Sequence, residues 1–217
     1  MFRRALLLAA VVAGFSANAA RGHEAAPGGC ELHVWPSGEL NSVYQGWIHG
    51  GIVNGAVTGR DGYPEVPPDP LGAASQTELL DRAQPQGIIG LHSYRLIVHP
   101  QPLTSREIRT TPGRLTTDGA PCYAELIVDD VFLQQDVFFG SQLKSSLRYR
   151  DFGDGVAPAV TPVRVFGTWV KTPLKLFPPK EGVDRKAASD DLKSAYVANL
   201  TRFAEALNKP AKGKRGK

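Results

Sequence analysis

Four of the five histidines, His33, His49, His92 and His99, lie in or beside expected ordered elements, and with the carboxylates Glu125, Asp129 and Asp130 they are the residues whose types suit chemistry. Imidazoles combined with a carboxylate are the usual donors for zinc or copper, and an ion so held would activate water for hydrolysis. The spacing points elsewhere, because none of these histidines stands in an HxH or HExxH pattern that would bring two rings to one ion. Each therefore reads as a half-buried polar side chain on its own. If the chain is a metal-dependent hydrolase, His49, His99 and Asp129 are its candidate residues. His49 is the foremost of them, since its glycine neighbours let a ligand approach the ring.

The carboxylates carry a similar condition. Adjacent strand residues point to opposite faces, so Asp129 and Asp130 serve one substrate only if a bulge turns them together. Cross-strand pairing with Lys144, Arg148 or Arg150 accounts for Glu125 and Asp129 more simply. Nucleophilic catalysis lacks a GxSxG, and DFGDG at 151–155, without any other kinase element, reads as a turn. No catalytic residue and no cofactor follow from these patterns.

The cysteines are more decisive. Cys30 and Cys122 are the chain's two cysteines, and each immediately precedes an apolar run, ELHVW and YAELIV. An even count in an exported chain favours a disulfide, here tying the entrances of two strands. Export is suggested by the first twenty residues, MFRRALLLAAVVAGFSANAA. Arg3 and Arg4 precede an apolar core from Ala5 to Phe15, and Ala17, Ala19 and Ala20 supply the small residues of a cleavage site. A spanning helix needs about 20 apolar residues, more than this run offers, so a signal peptide cleaved near Ala19 or Ala20 is expected, with no span in the mature chain. Cys30 lies beyond Pro27-Gly28-Gly29 without a lipoprotein context.

Charge narrows the partners. Of the 217 residues, Lys and Arg number 25 against 21 Asp and Glu, giving +4. Arg3, Arg4, Lys209, Lys212, Lys214, Arg215 and Lys217 lie in the leader or the tail, and setting these seven aside turns +4 into −3. A mildly acidic domain with a basic tail argues against nucleic-acid binding, while the tail suits lipid head groups or cell-wall polymers.

These residues must be positioned by an ordinary globular core. Glu31 to Trp35, Tyr94 to Val98, Tyr123 to Gln134, Leu143 to Arg150 and Val163 to Val170 read as strands, with Leu174 to Phe177 a short edge piece. The doublet Asp129-Asp130 breaks the alternation of the third like a bulge. Residues 60–72, with Pro64, Pro67, Pro68 and Pro70, form a loop, and 101–121 a connection with one weak strand. A short helix begins at Ser75, with Glu78 completing a capping box. A longer one is capped by Ser189 and carries Leu192, Tyr196, Leu200, Phe203 and Leu207 along one stripe. The Gly-rich run from Gly46 to Gly59 is either a loop crossing the sheet, the favoured reading, or a close-packing helix with a groove at Gly51 and Gly55.

The expected fold is α+β: a two-layer sandwich with a mostly antiparallel sheet of about five strands and both helices on one face. The domain spans 30–208, after a cleaved 1–20 and a flexible 21–29, and before a disordered basic tail at 209–217. In element order the chain resembles small envelope domains of Gram-negative bacteria, such as the N-terminal domain of the Tol β-propeller protein and the curli-secretion lipoprotein group. That resemblance carries no functional residues with it. The expectation for function is a monomeric, exported periplasmic protein that binds or scaffolds an envelope protein or a cell-wall or lipid surface. Its candidate binding surface comprises Trp47, His49, Gly51, Gly55, Arg148 and Arg150.

Overall fold

The structure, a computed structural model, describes residues 29–45, 50–53, 70–117, 120–136, 140–154 and 161–210. The leader, Trp47, His49, Gly55, the greater part of the proline-rich loop and the end of the basic tail lie outside them.

A mixed, open, seven-stranded sheet carries a long C-terminal helix and shorter helices. Its strands are β1 (Glu31–Trp35), β2 (Asn41–Gln45), β3 (Gly50–Val53), β4 (Arg95–Val98), β5 (Cys122–Asp136), β6 (Gly140–Asp154) and β7 (Arg164–Pro173). The helices are α1 (Ala73–Ala83), α2 (Pro85–Ile88), α3 (Ser105–Thr110) and α4 (Arg185–Leu207). β5 is the spine, at 15 residues about 50 Å long. One side of it pairs antiparallel with β6, which pairs antiparallel with β7. Its other side is shared, β1 running parallel along Tyr123 to Ile127 and β2 along Phe132 to Asp136. β4 joins β1 in parallel and β3 joins β2 antiparallel. The long pairings are antiparallel; the three short ones that flank β1 and join β2 to β5 are parallel, so each needs a crossover through the loops and helices before β5.

Core phase in β5 depends on a bulge between Val128 and Asp130. Ala124, Leu126 and Val128 face the helices, and the extra residue lets Val131 and Leu133 face them too. Leu32, Val34, Leu143, Leu147 and Tyr149 join this face, and α4 closes it with Leu192, Tyr196, Leu200 and Phe203, all buried. Two buried polar side chains tie the helices into this core. Gln76 of α1 accepts from the Ser37 backbone N–H at 2.9 Å and from the Tyr196 hydroxyl at 3.2 Å, and donates to the Leu71 carbonyl at 2.8 Å. Asn199 of α4 donates to the Leu143 carbonyl at 3.1 Å and to Ser145 Oγ at 2.9 Å. Cys30 and Cys122 are joined by a disulfide with Cα atoms 4.5 Å apart, fastening the start of β1 to the start of β5.

Several local expectations are corrected. The strand β2 was not expected; the run Asn41 to Gln45 is short and meets β5 only where β5 outlasts β1. Gly50 to Val53 is a strand against β2, which excludes a helix over those residues and makes them sheet rather than a loop crossing it. Within 101–121 stands α3, whose Thr104–Glu107 capping box outcompetes a strand. α1 starts after Gly72, placing Ser75 inside the helix without a capping role. α4 starts a turn early, because the Asp184 side chain accepts from the Lys186 N–H at 3.0 Å and leaves Ser189 internal. Leu174 to Phe177 is not a strand: the N–H groups of Lys175, Leu176 and Phe177 all donate to Asp191 Oδ2, at 2.8, 2.8 and 3.2 Å. Asp151 to Asp154 continues β6, with Gly153 at φ +70° supplying the irregularity that the DFGD sequence suggested was a turn.

Candidate functional site

The face of the sheet away from α4 is half covered. Segment 101–117, with α3 at its centre, lies over β1 and the first half of β5, burying Ile108 against Trp35 and Ile127, with Leu103 and Leu115 beside them. Beneath it lie two polar networks. In the first, Glu125, fully buried, accepts from Arg150 Nε at 2.5 Å, from the Tyr123 hydroxyl at 2.9 Å and from the Leu115 N–H at 2.7 Å. Arg150 also donates to the carbonyls of Thr111 at 2.7 Å and Gly113 at 2.6 Å. Burial, with the Glu125 charge beside it, pushes the Tyr123 hydroxyl far above its ordinary range, so it remains a donor.

The second network runs from Arg95 through Glu31 to His33, whose Nε2–H donates to Glu31 Oε2 at 3.0 Å, and on to His99 at 2.9 Å. Across the His33 Nδ1–His99 Nε2 contact one ring nitrogen donates and the other accepts, as the tautomers of the two rings set it. The His99 ring stacks flat on Trp35, centroids 4.2 Å apart. Burial pushes the Glu31 carboxyl up, but the hydrogen bonds and charges of Arg95 and His33 outweigh it and hold that carboxyl below its ordinary value. The histidines expected to stand alone thus include one coupled pair, His33 and His99, whereas His92 is exposed.

The candidate site begins where the cover ends. Ser105, Ile108 and Arg109 of α3 form one wall of a pocket of about 100 Å³ whose floor is Asp129, Asp130 and Arg148. A second pocket of about 240 Å³ continues past Arg148 to Val165, Gly167 and Trp169 on β7. The two share Asp129 and Arg148 and make one groove across β5, β6 and β7. The β5 bulge builds its acidic part, turning both adjacent aspartates into the same pocket. Burial, then the neighbouring Asp129, raise the Asp130 carboxyl above its ordinary value. Arg148 Nη2 donates to Asp129 Oδ2 at 3.2 Å, while Asp129 Oδ1 and Arg148 Nε are buried with no hydrogen-bond partner. Such atoms favour an occupant that brings a donor and an acceptor. The far end is apolar and aromatic, Trp169 lying against Phe132 at 5.5 Å with Lys144 Nζ 5.4 Å from its ring centre.

The sequence candidates are dispersed by this geometry. Glu125 and Asp129 pair with Arg150 and Arg148, the cross-strand use expected of them. Arg148 lies in the groove, but Arg150, expected on a binding surface, is buried and committed to Glu125. Gly51 is in β3. Of the metal candidates, His99 is held by His33 and Trp35, and Asp129 by Arg148, so the two belong to separate clusters. Among the described residues one group has metal-ligand proximity, Cys30, Cys122 and Asp154, and its thiols are spent in the disulfide. Val165, Trp169, Ser105 and Arg109 were missed. In VRVFGTWV both faces of the strand carry apolar residues, so no polarity contrast marks which one is exposed.

The sequence matches no protein-family model and no curated protein. Among solved structures the chain is similar to an uncharacterised protein at 11% identity and a TM-score of 0.38, over 84% of this chain and 95% of that one. It is also similar to a Xanthomonas campestris protein of family DUF330, at 8% identity and a TM-score of 0.41, over 83% of each chain. At those scores neither likeness assigns a residue or a role.

Proposed function

We propose that this chain is an exported envelope protein that works by binding or scaffolding another envelope protein, with the groove from α3 across Arg148 to Trp169 as its contact surface. The observation that carries the reading is that groove: an exposed tryptophan and valine beside a guanidinium and carboxylate with unpaired, buried polar atoms. An aromatic anchor and an arginine next to a polar rim are the usual makings of a protein contact. Export is supported by the leader-like residues 1–20 and by a disulfide, which persists in oxidising compartments. No helix among the described residues is long and apolar enough to cross a membrane.

The test is capture from envelope extract with the wild-type chain and with Arg148→Ala. Recovery of a defined protein by the first, falling at least tenfold with the second, supports the reading. Identical recovery by both overturns it. Separation of compartments by osmotic shock tests export, and retention of the chain with cytoplasmic markers would refute that part.

A further inference from the structure

The large apolar side chains left most exposed among the described residues are gathered in one place. Val163, Val165 and Trp169 are 71%, 57% and 49% exposed, and with Gly167 they line a single face of β7 and the residue before it. β7 pairs with β6 along one side and, among the described residues, with no strand along the other. Soluble proteins blunt such edges with prolines, inward charges or bulges. β7 has its proline only at the last position, Pro173, and its register with β6 runs unbroken from Arg164 to Pro173.

We infer that β7 pairs antiparallel with β7 of a second copy, about a two-fold axis perpendicular to the sheet at Gly167. The strand's own sequence selects this occupant. Residues directly opposite in an antiparallel pair share a face, so joining open face to open face requires an even register, odd residues against odd. The register centred on Gly167 sets Val165 against the partner's Trp169 on both sides of the axis, a β-branched residue against an aromatic one. Glycine at the centre leaves room for the two indoles. Arg164 falls opposite the partner's Val170, and Lys171 opposite the partner's Val163, so no like charges meet. The pairing joins two sheets into one and brings the two grooves to either side of the axis. It uses the same strand as the proposed binding surface without depending on that surface's partner.

Cross-linking reads the register directly. Gly167 is outside the left-handed region, and a Cβ there would meet nothing nearer than the Leu147 carbonyl at 3.6 Å, so Gly167→Cys should fold normally. Opposed Cα atoms in an antiparallel pair lie about 4.5 to 5.5 Å apart, inside the window a disulfide accepts. Mild oxidation should convert Gly167→Cys to a dimer that reductant dissolves. Trp169→Cys should not cross-link, because its two copies are four residues out of register, about 13 Å. In sedimentation the unmodified chain should show a species of twice the monomer mass that Val165→Lys with Trp169→Lys abolishes. Val165→Lys with Trp169→Glu should restore it, since opposite charges then face each other across the axis. Both pairs lie outside the α4-facing core, so a retained cooperative melt confirms the fold. A monomeric Gly167→Cys, equal cross-linking of Trp169→Cys, or lysine and glutamate variants that behave alike would overturn the inference. A monomer whose capture of an envelope protein still depends on Arg148 would overturn it and leave the binding proposal standing.

Discussion

The Glu125–Arg150 pair offers the sharpest test of how this sheet is held together on its open side. Glu125 is fully buried, Arg150 is nearly so, and the carboxylate collects donors from Arg150, Tyr123 and the Leu115 backbone. Glu125→Ala would strand a buried guanidinium and a buried N–H, and removing one partner of such a pair usually costs about 3 to 5 kcal/mol. The lower end applies, because Arg150 keeps the Thr111 and Gly113 carbonyls. About 3 kcal/mol raises the unfolding constant roughly 150-fold. With a urea slope near 2 kcal/mol/M, the midpoint falls by about 1.5 M. Replacing both partners, Glu125→Leu with Arg150→Met, should recover about half of that loss, since no charge is then left alone while the Leu115 N–H and the Thr111 and Gly113 carbonyls still lack their partners. The measurement is urea unfolding followed by circular dichroism, with equal slopes as the check on two-state behaviour. A single variant within about 0.3 M of wild type, or a double variant as damaged as the single, would refute this account.

Two further outcomes follow from the opposite face and from the histidine network. Phe203 of α4 is fully buried, its ring tilted against Phe166 at 5.5 Å, and Phe203→Ala should cost about 3 to 5 kcal/mol in the same assay; a silent change would make α4 peripheral to the core. Glu31 is held below its ordinary value of 4.5, so its ion pairing stabilises the fold above that pH and is lost as pH falls through the lower folded value. The stability gap between wild type and Glu31→Gln should therefore be flat near neutrality and close on acidification below about 4.5, and a gap that widened there would reverse the argument.

Much of this architecture was legible because the sequence obeys simple periods. Leu192, Tyr196, Leu200 and Phe203 recur at helical spacing and all four are buried. Ala124, Leu126 and Val128 alternate with Glu125 and Ile127 as a strand should, and Asp129-Asp130 disturbs the alternation where the bulge lies. Contacts decided by sequence-distant partners were not legible. Asn41 to Gln45 becomes a strand because β5 extends past Trp35, a fact about lengths rather than about those five residues. His33 meets His99 across a parallel β1–β4 register, 66 residues apart, and no local spacing announces that. The capping box at Thr104 and Glu107 was readable, and the surrounding prolines and glycines obscured it. Leu174 to Phe177 looked like a strand because its apolar residues match one, yet its three successive N–H groups converge on the Asp191 carboxylate.

The groove and the core are consequences of the same irregularity. A 15-residue strand without a bulge would present Val128, then Asp130, then Phe132 to the helices, burying a carboxylate against α4 and turning Val131 and Leu133 to solvent. One extra residue after Val128 resets the phase, so the five apolar residues Ala124, Leu126, Val128, Val131 and Leu133 all reach the core. The same step puts both Asp129 and Asp130 on the open side, in one pocket with Arg148 of β6 and Arg109 of α3. Removing either aspartate by deletion would therefore act on both faces at once, whereas Asp129→Asn or Asp130→Asn would change the groove's charge and leave the phase intact. The acidic floor of the groove is placed by the packing of the core, and its composition is free to answer to whatever the groove binds.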